Sequence, residues 1–302
     1  MERLDIHYTP KRGSWLNMAE IEPSALKRYC LDCRMHDMAT MITRLHGKEN
    51  EITACSLKHP GLQHNQEPYK MGGDRMNLPE SLIDTALSKG QSALSEYDSK
   101  RFLSCFGIPV SREMIAANVD AAVAEAAKIG YPVVLKATGA NLTHKTEVGG
   151  VALNLRNKAE VEEEGKRLLQ IKGCEALLVQ EMVKGARELV CGLTRNAQLG
   201  PCVMFGMGGI LTEILDDVAF RMAPLTSWDA REMLQEIRSK KIIDAFRGEA
   251  AVDIDALCKT LMALGEIGLQ HEEISEIDIN PLKIRPDGKP VAVDALIVLN
   301  KG

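Results

Sequence analysis

Apolar and polar positions alternate in regular blocks only in the later part of the chain. Up to about residue 77 the apolar periodicity is poor, whereas from Leu78 onward helix-like and strand-like runs follow one another to the last residues. The apolar spacing predicts two helices in 78–106, broken at Gly90, with Gly107 as the stop. Further helices are predicted at 120–129, 158–171, 227–237 and 255–270.

Strand-like runs lie between these helices. They are predicted at 108–115, 131–137, 149–155, 175–182, 187–195, 202–206 and 210–215. A closing hairpin joins 273–284 to 290–299 through the turn RPDGK at 285–289. Strands connected both by hairpins and by helices predict a mixed sheet and an α+β fold class.

Composition excludes several classes of protein. The chain has 302 residues, of which 45% are hydrophobic and 26% charged, so a wholly disordered protein is excluded. A net charge of -5 argues against nucleic acid as a partner. No apolar run reaches the length of a membrane span, and the N-terminus has no apolar signal core. Eight Cys without a framework spacing indicate reduced thiols in a cytoplasmic protein.

Lys136 and the loop that follows it are the first candidate site. Lys136 stands near the end of an apolar strand-like run, where it either reaches a phosphate or covers apolar surface at an edge. The loop GANLTHKTEVGG at 139–150 is polar with Gly at both ends, so its N–H groups can face an anion. It contains Lys145 and also His144, a residue type that accepts phosphoryl groups. A solvated surface loop is the alternative.

A second Gly-rich segment, FGMGG at 205–209, contains Gly208 and Gly209 between strand-like runs. Glu213, Asp217 and Arg221 follow it at four-residue spacing. A tight turn followed by a solvated helix face explains this pattern equally well.

The closing hairpin offers a candidate metal site. Asp278 and Asn280 are two residues apart on one strand and so share a face. If the turn is centred on Asp287, Asn280 lies opposite Asp294. Facing oxygen ligands suit Mg²⁺, which keeps further positions for water and phosphate. A polar cross-strand pair on a solvent-exposed face of the sheet is the alternative.

Taken together, the segments resemble the ATP-grasp β subunit of the ADP-forming acyl-CoA synthetases, the acetate–CoA ligase (ADP-forming) family. The resemblance covers about Leu78 to Leu299 and rests on ordered motifs that include KRFLSCFGIPV, GYPVVLKA, HKTEVGGVALNL, VQEMV, FGMGGILTEILDDVAFRMAPL and EIDINPL. It implies an ATP-grasp fold in 78–302, with two α+β lobes at about 78–180 and 181–302 and the nucleotide between them. Residues 1–77 are expected to be a poorly structured N-terminal extension.

The resemblance also implies roles for single residues. Lys136 contacts the nucleotide phosphates, Glu188 holds the ribose, and Asn280 and Asp294 bind Mg²⁺. His144 takes the phosphoryl group from a partner subunit, and Lys145 helps to hold it. Gln180, Glu181, Met182 and Val183 form a hinge whose backbone binds adenine. The remaining implied positions lie near the phosphates and are Gly208, Gly209, Glu213, Asp217 and the catalytic Arg221.

The implied reaction converts acyl-CoA, ADP and phosphate to acid, CoA and ATP, and runs in reverse. The cofactors are then ATP or ADP with Mg²⁺. Because the chain shows no CoA-binding segment, a CoA-binding α subunit with a phosphohistidine is expected to bind the acyl-CoA or acid in a hetero-oligomer. A succinyl-CoA synthetase-like β chain, the grasp part of a fused acyltransferase-like protein, and a non-catalytic nucleotide-binding chain are the alternatives.

Residues 3–39 resemble a different family, the C-terminal end of insertion-sequence transposases of the DDE class. Glu20 matches the last acidic residue of that motif, but the two earlier Asp are absent, so this segment is expected to be inactive. It is interpreted as a fusion scar or a misplaced start. Cys30 and Cys33 with His36 lack a second ligand pair and are not expected to bind zinc.

Overall fold

The computed structural model describes residues 78–139, 149–196, 199–208, 217–245 and 247–300. The N-terminal extension 1–77, with Glu20 and the Cys30–Cys33 pair, lies outside this part of the chain. So do the predicted strand at 210–215 and most of the loop at 139–150. The expectations for these segments stay predictions.

The described chain alternates helices and strands in the order that the sequence indicated, apart from the strands discussed below. The elements are α1 (Leu78–Ser88), α2 (Glu96–Cys105), β1 (Glu113–Ala116), α3 (Val119–Ile129), β2 (Val133–Thr138), β3 (Val151–Leu155), α4 (Lys158–Leu169), β4 (Ala176–Glu181), β5 (Arg187–Asn196), β6 (Gly200–Met207), β7 (Val218–Met222), α5 (Ser227–Glu236), a 3₁₀ turn (Lys240–Ile243), α6 (Ile254–Gln270), β8 (Ile274–Ile284), β9 (Pro290–Ala292) and β10 (Leu296–Leu299).

Local capping explains why the helix bounds were predictable. The Asn118 side chain accepts a hydrogen bond from the N–H of Ala121 and begins α3, and Gly130, at a φ of 94°, ends it. Thr226 and Asp229 form a reciprocal capping box at the start of α5. These polar and Gly residues mark the helix ends directly in the sequence.

The strand predictions need two corrections. The strand predicted at 108–115 begins only at Glu113 and ends at Ala116, and β7 was not predicted. Arg221 lies on β7, so the helix-face alternative for the spacing of Asp217 and Arg221 is wrong.

The first sheet has four strands in the order β1-β4-β2-β3, and every neighbouring pair is antiparallel. The prediction of a mixed sheet is therefore wrong for this sheet. The reason is that α3 and α4 connect strands that run parallel but are not neighbours, since β4 lies between β1 and β2, and β2 lies between β3 and β4. Helix crossovers are thus compatible with a fully antiparallel sheet.

The two crossover helices cover one face of this sheet. A compact core forms between them and the strands, and its fully buried members include Val133, Leu135 and Ala137 of β2 and Leu177 and Val179 of β4. Because side chains alternate along a strand, Val134 and Lys136 lie on the opposite face of β2. This alternation directs Lys136 away from the helices.

The second sheet has six strands in the order β10-β8-β5-β6-β7, with β9 also paired to β8. The named strand pairs here are antiparallel as well. One face packs against α5 and α6 to form the larger core of the domain. Ile277 and Ile279 of β8 belong to this core, so Asp278 and Asn280, which alternate with them, lie on the other face.

The first two helices pack with the second sheet, although the sequence analysis assigned them to the first lobe. Phe102 and Leu103 of α2 and Ile83 of α1 are buried in the larger core. The side-chain oxygen of Ser99 accepts a hydrogen bond of 3.2 Å from the N–H of Ile297 on β10. Residues 78–105 therefore stabilise the later half of the domain.

None of the helices in the described ranges is long and apolar enough to cross a membrane. The five cysteines that the structure describes, Cys105, Cys174, Cys191, Cys202 and Cys258, are all free thiols.

Deleting residues 1–77 is expected to leave folding intact, because the residues from α1 onward already form two packed apolar cores. The fragment 78–302 should melt cooperatively within a few degrees of the full chain. The matched control is the fragment 107–302, which also lacks α1 and α2 and thereby Phe102 and Leu103. It should be insoluble or lose several kcal/mol, since losing one buried Phe or Leu already costs about 2–5 kcal/mol. An insoluble 78–302 fragment would show that the extension is structural.

Candidate functional site

Lys136 of β2 and Asp294 of the closing hairpin meet where the two sheets approach each other. The Lys136 ammonium lies 2.5 Å from Glu96 Oε1 and 3.3 Å from Asp294 Oδ2, and only 7% of its side chain is exposed. Burial alone would lower the pKa of this ammonium, but the carboxylates of Asp294 and Glu96 outweigh burial and raise the pKa above its ordinary value. A positive charge is therefore fixed at this point.

The ion pair of Lys136 is part of a larger buried network that the sequence analysis missed. Lys100, one turn after Glu96 on α2, lies 3.0 Å from Glu96 Oε1 and forms a salt bridge with Glu113 on β1. Its ammonium also donates to the carbonyl of Val293, next to Asp294, at 2.8 Å. α2, both sheets and the hairpin are thus joined by buried charges.

Burial of Glu113 is only partly compensated within the network. Its side chain is 5% exposed. Burial raises the pKa of its carboxyl from 4.5 to about 7, because the neighbouring Lys100 only partly offsets the loss of water. Glu96 adds to the rise and Lys136 opposes it. The carboxyl therefore titrates close to neutral pH.

Glu113→Gln is expected to make the domain less sensitive to pH. A carboxyl whose pKa is higher in the folded than in the unfolded state destabilises the fold as pH rises from 4.5 to about 7. Over that interval the wild type should lose up to about 3 kcal/mol relative to the variant. Urea unfolding of both proteins at pH 5 and pH 8 measures this difference. If the difference in unfolding free energy between wild type and variant is the same at pH 5 and pH 8, the raised pKa is contradicted.

The hairpin has the register that the sequence predicted. The pairs on both sides of the Asn280–Asp294 position are centred on Asp287, and they are Leu282 with Ala292, Lys283 with Val291, and Leu296 with Asp278. The N–H of Val293 also donates to the carbonyl of Pro281 at 3.1 Å. This register places Asn280 opposite Asp294 on the face away from the larger core.

The residues present fit a magnesium site of few protein ligands. The described ranges hold no group of three or more His, Cys, Asp or Glu side chains arranged to bind a metal by themselves. Mg²⁺ is usually held by one or two carboxylates together with water and substrate phosphates, which matches one amide and one carboxylate on facing strands. The role of Asn280 and Asp294 as ligands stays a prediction.

The predicted adenine hinge runs from the end of β4 towards β5. The N–H of Glu181 donates to the carbonyl of Arg112 and that of Met182 to Pro132, so these two groups are already bonded within the domain. Gln180 is fully buried, and its amide donates to Ser111 Oγ and to the Val293 carbonyl at 2.6 Å each. The hinge is therefore tied to the same hairpin that carries Asp294.

The Glu181 side chain is held by two arginines. Its carboxylate accepts from the N–H and guanidinium of Arg112 and, at 2.7 Å, from Arg285. Burial would raise its pKa, but the hydrogen bonds from these residues lower it. This side chain thus fixes the hinge, and the adjoining Val183 is buried.

Two predicted positions, Glu188 for the ribose and Gly208 near the phosphates, lie on β5 and directly after β6. Glu188 of β5 is partly exposed and lies 3.3 Å from the ammonium of Lys283 on β8. Gly208 donates its N–H to the carbonyl of Glu188 at 2.8 Å. A Cβ at Gly208 would lie only 2.7 Å from the backbone of Leu189, so this close approach of backbones requires glycine.

Two predicted residues have contacts that build the fold. The buried Asp217 carboxylate accepts from the N–H groups of Arg238 and Ser239 at 2.5 and 2.8 Å. Burial would raise its pKa, but the hydrogen bond from the Ser239 hydroxyl, together with those from the two N–H groups, lowers it. Arg221 makes two hydrogen bonds to Glu236 of α5. Both side chains thus connect the β7 region to the helix and turn that follow.

Four further candidates, His144, Lys145, Gly209 and Glu213, lie outside the part of the chain that the structure describes. Their roles stay predictions.

A pocket of about 470 Å³ lies beside the hinge. Its lining includes Arg112, Tyr131, Glu181, Met182 and Arg285, but neither Lys136 nor Asp294. The ion network, rather than this pocket, contains Lys136, predicted to bind phosphate, and Asp294, predicted to bind metal.

Comparison with known proteins agrees with this fold. Residues 85–299 match the ATP-grasp domain family. The chain is 38% identical over 233 residues to the β subunit of acetate–CoA ligase [ADP-forming] I from Pyrococcus furiosus, covering 75% of this chain and all of that subunit. It is 39% identical to acetate–CoA ligase [ADP-forming] I from Archaeoglobus fulgidus, covering 74% of this chain but 33% of that longer protein.

A solved structure shows the same architecture. It is the acetyl-coenzyme A synthetase 1 of Candidatus Korarchaeum cryptofilum in complex with coenzyme A and Mg-AMPPCP, with its phosphohistidine segment pointing towards the nucleotide binding site. The TM-score is 0.66 at 40% identity, over 74% of this chain and all of that chain. The prediction of an α+β ATP-grasp fold is therefore confirmed, and a succinyl-CoA synthetase-like chain is not favoured. The chain belongs to the ATP-grasp family, in the group of β subunits of ADP-forming acetate–CoA ligases.

Proposed function

We propose that this chain is the nucleotide-binding subunit of an ADP-forming acyl-CoA synthetase and transfers a phosphoryl group between a phosphohistidine and ADP. The observation that supports this most is the contact between Lys136 and Asp294, which brings a buried cation and a carboxylate from two sheets to one point. Phosphoryl transfer needs such a point, because it is catalysed mainly by positioning and by cations on the phosphate oxygens.

The proposed roles follow from charge and position. Lys136, protonated and buried, binds the phosphates of the nucleotide, and Asn280 and Asp294 hold Mg²⁺. The metal supplies positive charge to the phosphate oxygens when it is bound. Lys136 and Asp294 are in contact in this structure, so phosphate and metal binding would both replace that contact.

The hinge is proposed to receive the base. Gln180 Oε1 is buried and has no hydrogen-bond partner within the described residues. It is an acceptor for a donor such as the amino group of adenine. Val134, which lies opposite Gln180 on the neighbouring strand, adds buried apolar surface beside it.

The phosphoryl group is proposed to arrive from a CoA-binding α subunit that carries a phosphohistidine. In the transfer the N–P bond of a phosphohistidine breaks, and a new O–P bond forms to the terminal phosphate of ADP. His144 would relay the group and Lys145 would balance its charge. The acid and CoA would be bound by the partner, in a cytoplasmic hetero-oligomer whose described thiols stay reduced.

Mg-ADP or Mg-ATP is expected to raise the melting temperature of the purified chain without any partner. Binding at a hundredfold excess over Kd adds about 2.7 kcal/mol, or roughly 5–10 °C for a domain of this size. Lys136→Ala and Asp294→Ala should each show a smaller shift. The matched controls Lys128→Ala and Asp255→Ala, at exposed ion pairs, should keep the full shift. Equal shifts in all five proteins would refute the site.

A further inference from the structure

Glu96 holds the Lys136 ammonium more closely than Asp294 does. The two carboxylate contacts are 2.5 Å and 3.3 Å. Glu96 and Asp294 contact the same ammonium group, and in the proposed function Asp294 also binds Mg²⁺. Attraction of Lys136 towards Glu96 therefore leaves the Asp294 carboxylate more accessible to Mg²⁺.

We propose that Glu96 is a positioning residue that keeps Lys136 from closing on Asp294 and so preserves the magnesium site. This inference rests on the proposed function of Lys136 and Asp294. Glu96 itself binds neither metal nor nucleotide in the proposal. It acts only through the ammonium of Lys136.

The position of the Glu96 carboxylate is fixed by contacts other than that with Lys136. Its carboxylate also binds Lys100, and Lys100 is held in turn by Glu113 and by the carbonyl of Val293. A carboxylate with two ammonium partners in a buried site is held in one orientation. Glu96 is thus prevented from following Lys136 when that residue turns towards Asp294.

The helix that carries Glu96 is itself immobilised. Phe102 and Leu103, on the same helix, are completely buried in the larger core, and Ser99 is bonded to β10. Because α2 is packed on the sheet that carries the hairpin, Glu96 and Asp294 belong to one packed unit. Lys136 comes from the other sheet and lies between the two carboxylates.

Removing the charge of Glu96 should therefore turn Lys136 towards Asp294. Glu96→Gln keeps the shape of the side chain but weakens its hold on the ammonium. The Mg²⁺ concentration that half-saturates ADP binding should then rise about tenfold. In a Lys136→Met background no ammonium competes for Asp294, so Glu96→Gln should leave the half-saturating Mg²⁺ concentration unchanged.

The experiment is a double-mutant cycle on the full chain. Binding of ADP is followed by thermal melting while MgCl₂ is varied, for wild type, Glu96→Gln, Lys136→Met and the double variant. The two proteins with Lys136→Met are measured at a higher ADP concentration, because this change weakens nucleotide binding, and they are compared with each other. Glu162→Gln, which removes a carboxylate paired with Lys158 on the surface, is the control and should match wild type. Melting without Mg²⁺ and nucleotide gives a second readout, in which the two changes should be non-additive because the buried pair is broken by either one.

The outcomes separate this proposal from the proposed function. The positioning role is overturned, although ADP binding stands, in either of two cases. Either the half-saturating Mg²⁺ concentration of Glu96→Gln equals that of wild type, or Glu96→Gln raises it equally in the wild-type and Lys136→Met backgrounds. A wild type that binds no ADP would overturn the proposed function instead. If Glu96→Gln does not fold, Glu96→Asp replaces it in the double-mutant cycle, because its shorter side chain moves the carboxylate away from Lys136.

Discussion

Replacing Lys136 with Met is expected to lower the rate of ATP formation by a complex reconstituted with an α subunit by about two to three orders of magnitude. Methionine keeps the volume and apolar stem of the side chain but removes the charge that is buried beside Glu96 and Asp294. Mg²⁺ would then neutralise charge on the phosphate oxygens without the help of the Lys136 ammonium. The measurement is the steady-state rate from acyl-CoA, ADP and phosphate at saturating Mg²⁺.

The control for this variant is Lys128→Met on α3, where the side chain is 70% exposed and pairs with Glu125. It should retain the wild-type rate. A Lys136→Met complex that works within a factor of two of wild type would show that this lysine is structural. Its melting temperature must be measured alongside, since the variant also leaves Glu96 with one ammonium partner fewer.

His144→Ala is expected to stop the passage of phosphate while leaving nucleotide affinity nearly unchanged. The two functions are separable because the proposed nucleotide ligands, Lys136, Asn280 and Asp294, lie outside the loop at 139–150. Loss of a nucleophile typically costs three orders of magnitude or more. Acid-labile ³²P labelling of this chain in the reconstituted complex should disappear in the variant. A variant that makes ATP at the wild-type rate would exclude a relay through His144.

The hairpin illustrates what local sequence determines. Its register follows from the position of Asp287 and Gly288 in the turn, since each strand must then pair residues at equal distances from the turn. The facing of Asn280 and Asp294 could therefore be predicted from the chain alone. The helix ends at Asn118 and Gly130 were predictable for a similar reason, because capping depends on residues within a few positions.

The buried charges illustrate what local sequence leaves open. Glu96 and Lys100 have the four-residue spacing of an ordinary solvated pair on a helix. Their burial depends on β1, β2 and the hairpin meeting α2, and these contacts join residues up to 198 positions apart. Only the assembled fold distinguishes this pair from a surface one.

The same limit applies to β7 and to Asp217. The resemblance implied a place near the phosphates for Asp217, and that role stays a prediction. The fold gives its carboxylate the N–H groups of Arg238 and Ser239, twenty or more residues later, and these partners could not be read from the local sequence. The prediction of a mixed sheet failed because strand order, unlike strand position, is decided by which faces pack together.

The most direct test of the central claim is the transfer of ³²P from an isolated, phosphorylated α subunit to ADP. We predict that labelled ATP forms only when this chain, Mg²⁺ and ADP are all present. With the Lys136→Met variant the label should stay on protein, either on the α subunit or on His144 of this chain, and ATP should remain unlabelled. Label that stays on the α subunit, or leaves it only as inorganic phosphate, in the presence of the folded wild-type chain would contradict the assignment of this chain as the subunit that makes ATP.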